Sequence, residues 1–268
     1  MDLRAWARDV DTDVPSSARM YDYYLGGSHN FTADRQAAAK VIAAMPQVPA
    51  IARANRAFLH RSVRFLLGQG IRQFLDIGSG IPTVGNVHEL AHRIAPEARV
   101  VYADIDPVAV TLAQRLLDGT NRAAAILADL REPARLLAQP ELLEVLDLSE
   151  PVAILLVSVL HFVPDADEPH RAVAWLRDAC APGSCLVVSQ GVDEGFAADQ
   201  AEAVQGVYRA TTTPGGLRSR QQVTAFFDGY DLVEPGLVWL SQWRPDRSDE
   251  AEGHPERLGI VAGVGVLR

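Results

Sequence analysis

Several features that would assign a chain to a common class are scarce or absent here. The only cysteines, Cys180 and Cys185, have a spacing that matches neither a CxxC redox motif nor a zinc ribbon, and no HExxH or Cys/His ligand set occurs. No apolar run reaches the roughly 18 residues of a membrane-spanning helix. The N-terminus carries acids but no apolar signal core. We therefore expect a cytoplasmic protein with free thiols, no metal site and no membrane contact.

Positive charge is also scarce. The 268 residues include 25 lysines and arginines against 34 acids, which gives a net charge of −9, and Lys40 is the only lysine. A protein that binds a phosphate backbone needs a basic face. The charge balance therefore disfavours a nucleic-acid substrate, although an acidic protein can still carry a local basic groove.

Short apolar runs alternate with helical patterns from residue 71 onwards. Residues 152–160, VAILLVSVL, are nearly all apolar, as in a strand that is buried on both faces of a parallel sheet. Other strands are predicted at residues 71–77, 99–103, 124–128, 184–189, 231–233, 237–243 and 258–267. This alternation predicts a doubly wound α/β sheet with right-handed crossovers. Ligands of such sheets bind beyond the carboxyl ends of the strands.

The remaining segments give the predicted domain organisation. Residues 1–17 are acidic and aperiodic and are predicted to form a mobile tail. Residues 18–32 predict a structured loop or short helix, and residues 33–67 have helical periodicity. Together, residues 18–70 are predicted to form an N-terminal helical lid, which precedes a core at residues 71–268. Residues 192–218 show no clear period and predict an irregular insertion.

The first predicted strand ends in a loop that suits a bound ligand. Asp76 is followed by Gly78 and Gly80, which can adopt backbone angles that other residues resist and let a ligand approach the chain. A tight strand-to-helix turn would explain the same glycines. A dinucleotide site would have a third glycine where Thr83 stands, so the pyrophosphate-binding motif is incomplete.

Acids also follow the next two strands. Asp104 follows the glycine loop at about the spacing at which an acid binds a ribose diol. Asp106 could do the same, but it precedes a proline and fits a helix N-cap equally well. Asp129 could accept a hydrogen bond from an exocyclic amine while Leu130 packs beside the ring; a surface acid is the alternative.

Together these acids suit a ligand that carries hydroxyls, an amine and a positive centre, and S-adenosylmethionine is such a ligand. A nicotinamide-dependent dehydrogenase is a competing interpretation. The missing third glycine argues against it, as does the absence of a Tyr-xxx-Lys pair in a chain whose only lysine is Lys40.

The sequence resembles class I S-adenosylmethionine-dependent methyltransferases. More narrowly, it resembles a family of high-GC bacteria long described as a domain of unknown function. The matching stretches, which extend over residues 15–268, are ARMYDYYLGGSHNF, ANRAFLHRSVRFL, GIRQFLDIGSGIPTVGNVHE, ARVVYADIDP, ADLREP, LHFVPD, APGSCLVVS and VEPGLVWLSQWRP. The acid-GxG core occurs in many methyltransferases, whereas YDYYLGG and GSGIPT…NVHE are much more specific to this family.

The resemblance implies a Rossmann-like, seven-stranded, mostly parallel sheet flanked by helices, with strand order 3-2-1-4-5-7-6 and strand 7 antiparallel. It implies S-adenosylmethionine as the cofactor. Carried over by position, the methionine part is held by Asp76, Gly78, Ser79 and Gly80, the ribose by Asp104, and the adenine by Asp129 and Leu130. Ile105, Asp106 and Ser158 complete the predicted cofactor site. Relatives often have Asn where this chain has Ile105, so the adenosine contacts at that position stay open.

His161 follows the fourth strand and is our candidate for a base or for a group that orients the methyl acceptor; a residue that only lines the cofactor is the alternative. Tyr21, Tyr24, Asn30 and Arg56 are candidate lid or acceptor residues, although the tyrosines could simply pack on the sheet. The fourth strand is not followed by the [Asn/Asp]-Pro-Pro-aromatic motif of enzymes that methylate nucleic-acid bases. This absence favours a small-molecule acceptor.

The predicted function is methyl transfer from S-adenosylmethionine to oxygen or nitrogen of a small molecule. The alternative is a non-catalytic protein that binds the cofactor as a sensor or regulator. A sensor needs no acceptor pocket beside Tyr24, Asn30, His161 and residues 192–218. The walls of that region therefore separate the two hypotheses.

Overall fold

The computed structural model describes residues 10–83, 85–246 and 254–268, which form a mixed sheet with helices on both faces. The sheet has eight strands in the order β3-β2-β1-β4-β5-β8-β6, with β7 paired to β8. The strands are β1 Gln73–Ile77, β2 Arg99–Asp104, β3 Ala123–Leu127, β4 Ala153–Val157, β5 Cys185–Gly191, β6 Tyr230–Leu232, β7 Val238–Trp239 and β8 Ile260–Leu267.

The predicted α/β architecture is confirmed. Strands β1 to β5 pair in parallel, and β8 is antiparallel to β5, as strand 7 of the predicted order should be. The predicted strand at residues 237–243 is shorter than expected. It forms the two-residue β7 and then a 3₁₀ turn at Leu240–Gln242. β6 and β7 pair with different residues of β8, so the two strands occupy the same place in the strand order.

Ten helices of the described ranges cover the sheet. They are α1 Ser17–Tyr24, α2 Thr32–Ala44, α3 Val48–Gly68, α4 Val87–Ile94, α5 Pro107–Leu116, α6 Pro133–Leu137, α7 Pro140–Val145, α8 Pro169–Asp178, α9 Ala198–Tyr208 and α10 Arg220–Ala225. Successive side chains of a strand point to opposite faces. Accordingly, Phe74 belongs to the core on the face of α3 and α4, and its neighbour Leu75 to the core on the face of α8. No described helix is long and apolar enough to cross a membrane.

The N-terminal segment packs against the core. Residues 1–9 of the predicted tail lie outside the described residues. Ser16, by contrast, is buried and its hydroxyl donates to Asp106, while the Pro15 carbonyl accepts a hydrogen bond from the Thr212 amide. The predicted irregular insertion at residues 192–218 also differs, because it contains helix α9, which packs against α2. Its few apolar residues gave only a weak helical pattern in the sequence.

Replacement of Trp243 by Ala should destabilise the protein strongly. Trp243 is fully buried and packs edge-on against Phe58 and Phe65, with ring centroids 5.4 and 5.7 Å away. We expect a loss of about 3–5 kcal/mol in the free energy of unfolding, measured by urea denaturation. Trp175→Ala is the matched control, because Trp175 is half exposed; its loss should be about 1 kcal/mol or less. Equal losses would contradict this packing.

Candidate active site

Two neighbouring cavities open beyond the carboxyl ends of β1 to β5. The rim cavity, of about 260 Å³, is lined by the loops after β1, β2, β3 and β4 and by residues of α1 and α3. The apolar cavity, of about 150 Å³, lies between helices α1, α2, α3 and α9 and the segment after β4. Both lie where the topology of a doubly wound sheet places a ligand.

Two buried carboxyl groups, Asp76 and Asp104, line the rim cavity from adjacent strands. Burial raises the pKa of Asp76 to about 7; the positive charge of Arg56 opposes this shift and the charge of Asp104 adds to it. Burial likewise raises the pKa of Asp104 to about 6. Asp104 accepts hydrogen bonds from the backbone amides of Gly80 (2.7 Å) and Asp106 (2.8 Å). The rim therefore holds two acids that gain from a positively charged or hydroxyl-bearing ligand.

The glycine loop after β1 closes over the end of β2. Gly78 and Gly80 have φ angles of 72° and 69°, in the left-handed region that favours glycine. The Gly78 amide donates to the Ala103 carbonyl at 2.7 Å, and a Cβ on Gly78 would lie 2.4 Å from Val159. On Gly80 a Cβ would have no atom of the described residues within 4 Å. Glycine is thus required at Gly78 by packing and conformation, and at Gly80 by conformation alone.

Arg56 of α3 brings a positive charge to the same cavity. Its Nη2 donates to Thr83 Oγ1 at 2.5 Å, while its buried Nε has no hydrogen-bond partner within the described part of the chain. A buried guanidinium N–H without an acceptor suits an anionic ligand group such as a carboxylate. The predicted residue Arg56 is thus brought beside Asp76.

Two predicted site residues line neither cavity. Asp106 caps helix α5 through the Val108 amide (2.8 Å) and accepts from the Ser16 hydroxyl, which favours the N-cap role that the sequence left open. The Asn30 side chain donates to Asp22 at 2.7 Å and so stabilises the loop after α1. Neither residue is positioned to contact a ligand in these cavities.

The loops after β2 and β3 contribute a hydrophobic face, and the loop after β3 also contributes an ion pair. Leu130 is buried and Ile105 is 43% exposed, and both line the rim cavity. Asp129 lines it too, but Arg131 Nη2 lies 2.6 Å from its Oδ2. Burial opposes ionisation of Asp129, yet the hydrogen bonds and charge of Arg131 outweigh it and lower the pKa of that carboxyl. Arg131 was not singled out in the sequence, although it lies in the quoted ADLREP stretch.

A chain of hydrogen bonds forms the wall shared by the two cavities. Ser158 Oγ lies 3.3 Å from Ser189 Oγ, which donates to Asn55 Oδ1 at 2.6 Å. Asn55 Nδ2 donates to the Tyr21 hydroxyl at 3.0 Å, and that hydroxyl donates to the Ala52 carbonyl at 3.0 Å. Ser158 has a φ of 58°, in the left-handed region that residues other than glycine seldom adopt. Asn55 is a residue that the sequence analysis missed, because nothing in a helical segment marks one polar position as cavity-lining.

His161 lines the apolar cavity from the 3₁₀ turn Leu160–Phe162. Its Nδ1 is buried without a hydrogen-bond partner within the described part of the chain. Burial lowers the pKa of His161 to about 4, and the positive charge of Arg218 adds to the effect. Arg218 stabilises the turn by donating to the carbonyls of Leu160 (2.7 Å) and Val163 (2.6 Å). His161 is therefore a neutral imidazole at pH 7.

Aromatic side chains surround His161. Phe162 lies with its ring centroid 4.3 Å from that of His161 and 5.4 Å from that of Tyr208. The hydroxyls of Tyr24 on α1 and Tyr208 on α9 are 3.2 Å apart, and both residues line the apolar cavity. The predicted residue Tyr24 thus meets a helix that the sequence did not predict, so Tyr208 could not be found from local pattern.

Comparisons with known proteins agree with this geometry. A provisionally named methyltransferase from Thermobifida fusca YX is 40% identical, with a TM-score of 0.90 and 97% of each chain covered. A DUF574 family protein from Streptomyces avermitilis MA-4680 is 41% identical, with a TM-score of 0.91, 96% of this chain and 99% of that one covered. The pyocyanin biosynthetic protein PhzM, at 19% identity and a TM-score of 0.50 over 84% of this chain and 59% of that one, shares the fold alone. No curated protein matches the chain significantly.

A family model extends the agreement to almost the whole sequence. The family described as S-adenosyl methyltransferase matches residues 4–268. The resemblance seen in the sequence is confirmed, and with it S-adenosylmethionine as the cofactor. The chain belongs to the S-adenosyl methyltransferase family.

Proposed function

We propose that this protein transfers a methyl group from S-adenosylmethionine to an oxygen or nitrogen atom of a small molecule. The observation that carries the proposal is the common wall of the two cavities. Tyr21, Asn55, Ser158 and Phe162 line both the rim cavity and the apolar cavity. A cofactor in one cavity and an acceptor in the other would therefore meet at this wall.

The residues of the rim cavity fit the methionine part of the cofactor. Asp76 supplies a carboxylate for the α-ammonium group, and the unpartnered Nε of Arg56 supplies a donor for the α-carboxylate. Gly78, Ser79 and Gly80 bring backbone close to the ligand without bulky side chains. This set of groups matches an amino acid that carries both charges.

The adenosine part fits the next two strand ends. Each Asp104 oxygen accepts one backbone amide and keeps lone-pair capacity for a ribose hydroxyl. Ile105 and Leu130 offer apolar contacts to a base. Both oxygens of Asp129 already accept hydrogen bonds from Arg131, so an adenine amine would share this carboxylate with Arg131. These assignments rest on where each group lies in the rim cavity and on the hydrogen bonds or apolar contacts that it can offer.

Methyl transfer depends more on aligning the acceptor with the methyl group than on general acid–base catalysis. Bound S-adenosylmethionine supplies an electrophilic methyl, so a lone pair of the acceptor forms the new bond as the C–S bond breaks, giving S-adenosylhomocysteine and a proton. The chain's part is to orient the acceptor at the shared wall and to exclude water. His161, neutral at pH 7, is suited to orienting the acceptor by a hydrogen bond. A sensor would need no second cavity beside His161 and Tyr24.

The decisive experiment is a screen of metabolite extracts with the purified protein and S-adenosylmethionine. A product heavier by one methylene, dependent on both protein and cofactor, supports the proposal. S-adenosylhomocysteine formed in step with that product excludes cofactor breakdown. Tight cofactor binding without product from any extract would favour the sensor.

Asp104→Asn should weaken cofactor binding, because an amide cannot accept from the two backbone amides and the ribose as a carboxylate does. We expect S-adenosylhomocysteine to bind about 1–3 kcal/mol more weakly by calorimetry. Asp118→Asn is the control, since Asp118 is exposed in the turn after α5. Thermal unfolding confirms that both variants are folded. Unchanged affinity of Asp104→Asn would remove Asp104 from the ribose site.

The affinity for S-adenosylhomocysteine should rise between pH 5.5 and 8. In the free protein the raised pKa of Asp76, about 7, keeps this carboxyl largely protonated below that pH, whereas the ligand's ammonium favours the ionised form. Binding therefore releases a proton, and affinity increases until the pH exceeds about 7. Calorimetry in two buffers of different ionisation enthalpy measures the proton.

Asp76→Asn is the matched variant for this pH effect. It should bind more weakly at pH 8 and lose most of the pH dependence above pH 6.5. The change that remains below that pH belongs to Asp104, whose pKa is raised to about 6. A pH dependence identical to that of the parent protein would show that Asp76 does not meet the ammonium.

A further inference from the structure

The part of the chain that the structure describes gives the apolar cavity an uncharged lining. Among the described residues around it there is no Asp, Glu, Lys or Arg. Aliphatic side chains from three helices, such as Val41, Ile51 and Val204, form much of its wall. Placing a charged group there would remove it from water without an ionic partner, which is costly. The cavity therefore selects an uncharged ligand and disfavours phosphates, sugars with many hydroxyls and peptides.

His161 supplies a specific polar contact in this apolar setting. Its buried Nδ1 has no partner in the described chain, and the nearby Arg218 is already bound to Leu160, Val163 and Asp165. A neutral imidazole has one donor nitrogen and one acceptor nitrogen. A hydroxyl group can donate and accept, so it matches either tautomer, whereas an ammonium or a carboxylate would leave a charge unpaired. The cavity thus favours a ligand with a hydroxyl.

The shape and size favour a ring. The aromatic residues Tyr21, Tyr24, Phe162, Phe196 and Tyr208 all line the cavity. Aromatic side chains pack favourably edge-to-face or offset against another ring. An apolar cavity of about 150 Å³ is of the size that holds benzene. One ring with small substituents therefore fills it.

We propose that the methyl acceptor is an uncharged, single-ring aromatic compound that carries a hydroxyl group and binds in the apolar cavity with that hydroxyl beside His161. This inference rests on the proposed methyl transfer, because the shared wall of Tyr21, Asn55 and Ser158 joins this cavity to the cofactor site. It goes further in naming the chemical class of the acceptor.

The test is calorimetric binding of matched probes to the full chain saturated with S-adenosylhomocysteine. 4-Methylphenol should bind, 4-methylbenzoate should bind at least tenfold more weakly because it is charged, and 4-methylcyclohexanol should bind more weakly because it lacks the flat ring. Equal affinity for the phenol and the benzoate, or no phenol binding by the saturated protein, would overturn the inference.

Substitutions in helix α9 test whether 4-methylphenol binds in the apolar cavity. Val204 lines the cavity, whereas its neighbour Ala203 is exposed on the same helix. Val204→Glu should weaken 4-methylphenol binding at least tenfold, and Ala203→Glu should leave it within twofold. Val204→Trp fills the cavity without adding charge and should give the same loss. Retained S-adenosylhomocysteine binding shows that each variant is folded; phenol binding unaffected by both Val204 variants would contradict the site.

The outcomes separate this inference from the proposed function. If 4-methylphenol binds as expected but phenols give no methylated product with S-adenosylmethionine, the cavity binds this class of compound. The proposal that such compounds are the methyl acceptors is then wrong. If phenols do not bind but the extract screen finds another methylated product, the proposed function stands and the acceptor class is wrong.

Discussion

Burial of two carboxyl groups at adjacent strand ends is the constraint on which the rest of the rim depends. Asp76 and Asp104 are almost inaccessible, and the charge of Asp104 raises the pKa of Asp76. Such a pair is costly unless hydrogen bonds and positive charge offset the burial. The amides of Gly80 and Asp106 supply the hydrogen bonds and Arg56 the charge. The carboxylate oxygens keep lone pairs that can bind a cationic, hydroxyl-bearing nucleoside. The family's cofactor, S-adenosylmethionine, is a ligand of this kind.

The sheet was predictable because its chemistry is local. A strand buried on both faces reads as a continuous apolar run, and β4 was visible in the sequence for that reason. The acids and glycines after β1 and β2 were also visible, since the carboxyl end of a parallel strand is fixed once the strand is recognised. β7 was overestimated because the mostly apolar run at residues 237–243 fits a strand as well as it fits a two-residue strand followed by a 3₁₀ turn. Only tertiary packing distinguishes those two outcomes.

The acceptor side of the site was much less predictable, because it is made by contacts between distant segments. Asn55 and Ser189 form a hydrogen bond although 134 positions separate them in the sequence. Tyr24 and Tyr208 do so across a separation of 184 positions. No local pattern encodes such a pair. Asn30 is the opposite case: the sequence made it a candidate for a ligand contact, whereas its side-chain amide donates to Asp22, eight residues earlier. The N-terminal helices are therefore part of the site wall, and they complete both cavities rather than only covering them.

The neutral state of His161 narrows what the acceptor can be. One pKa unit corresponds to about 1.4 kcal/mol, so a group whose pKa is lowered to about 4 resists protonation at pH 7 by roughly 4 kcal/mol. His161 would therefore not accept a proton released during methylation.

The acceptor must then be acidic enough to lose its proton to solvent, or reactive without losing it first. A phenol, whose pKa is near 10, meets this condition far better than an aliphatic alcohol. Under the proposed methyl transfer, the uncharged surroundings of His161 therefore suit it to orienting the acceptor rather than to removing a proton.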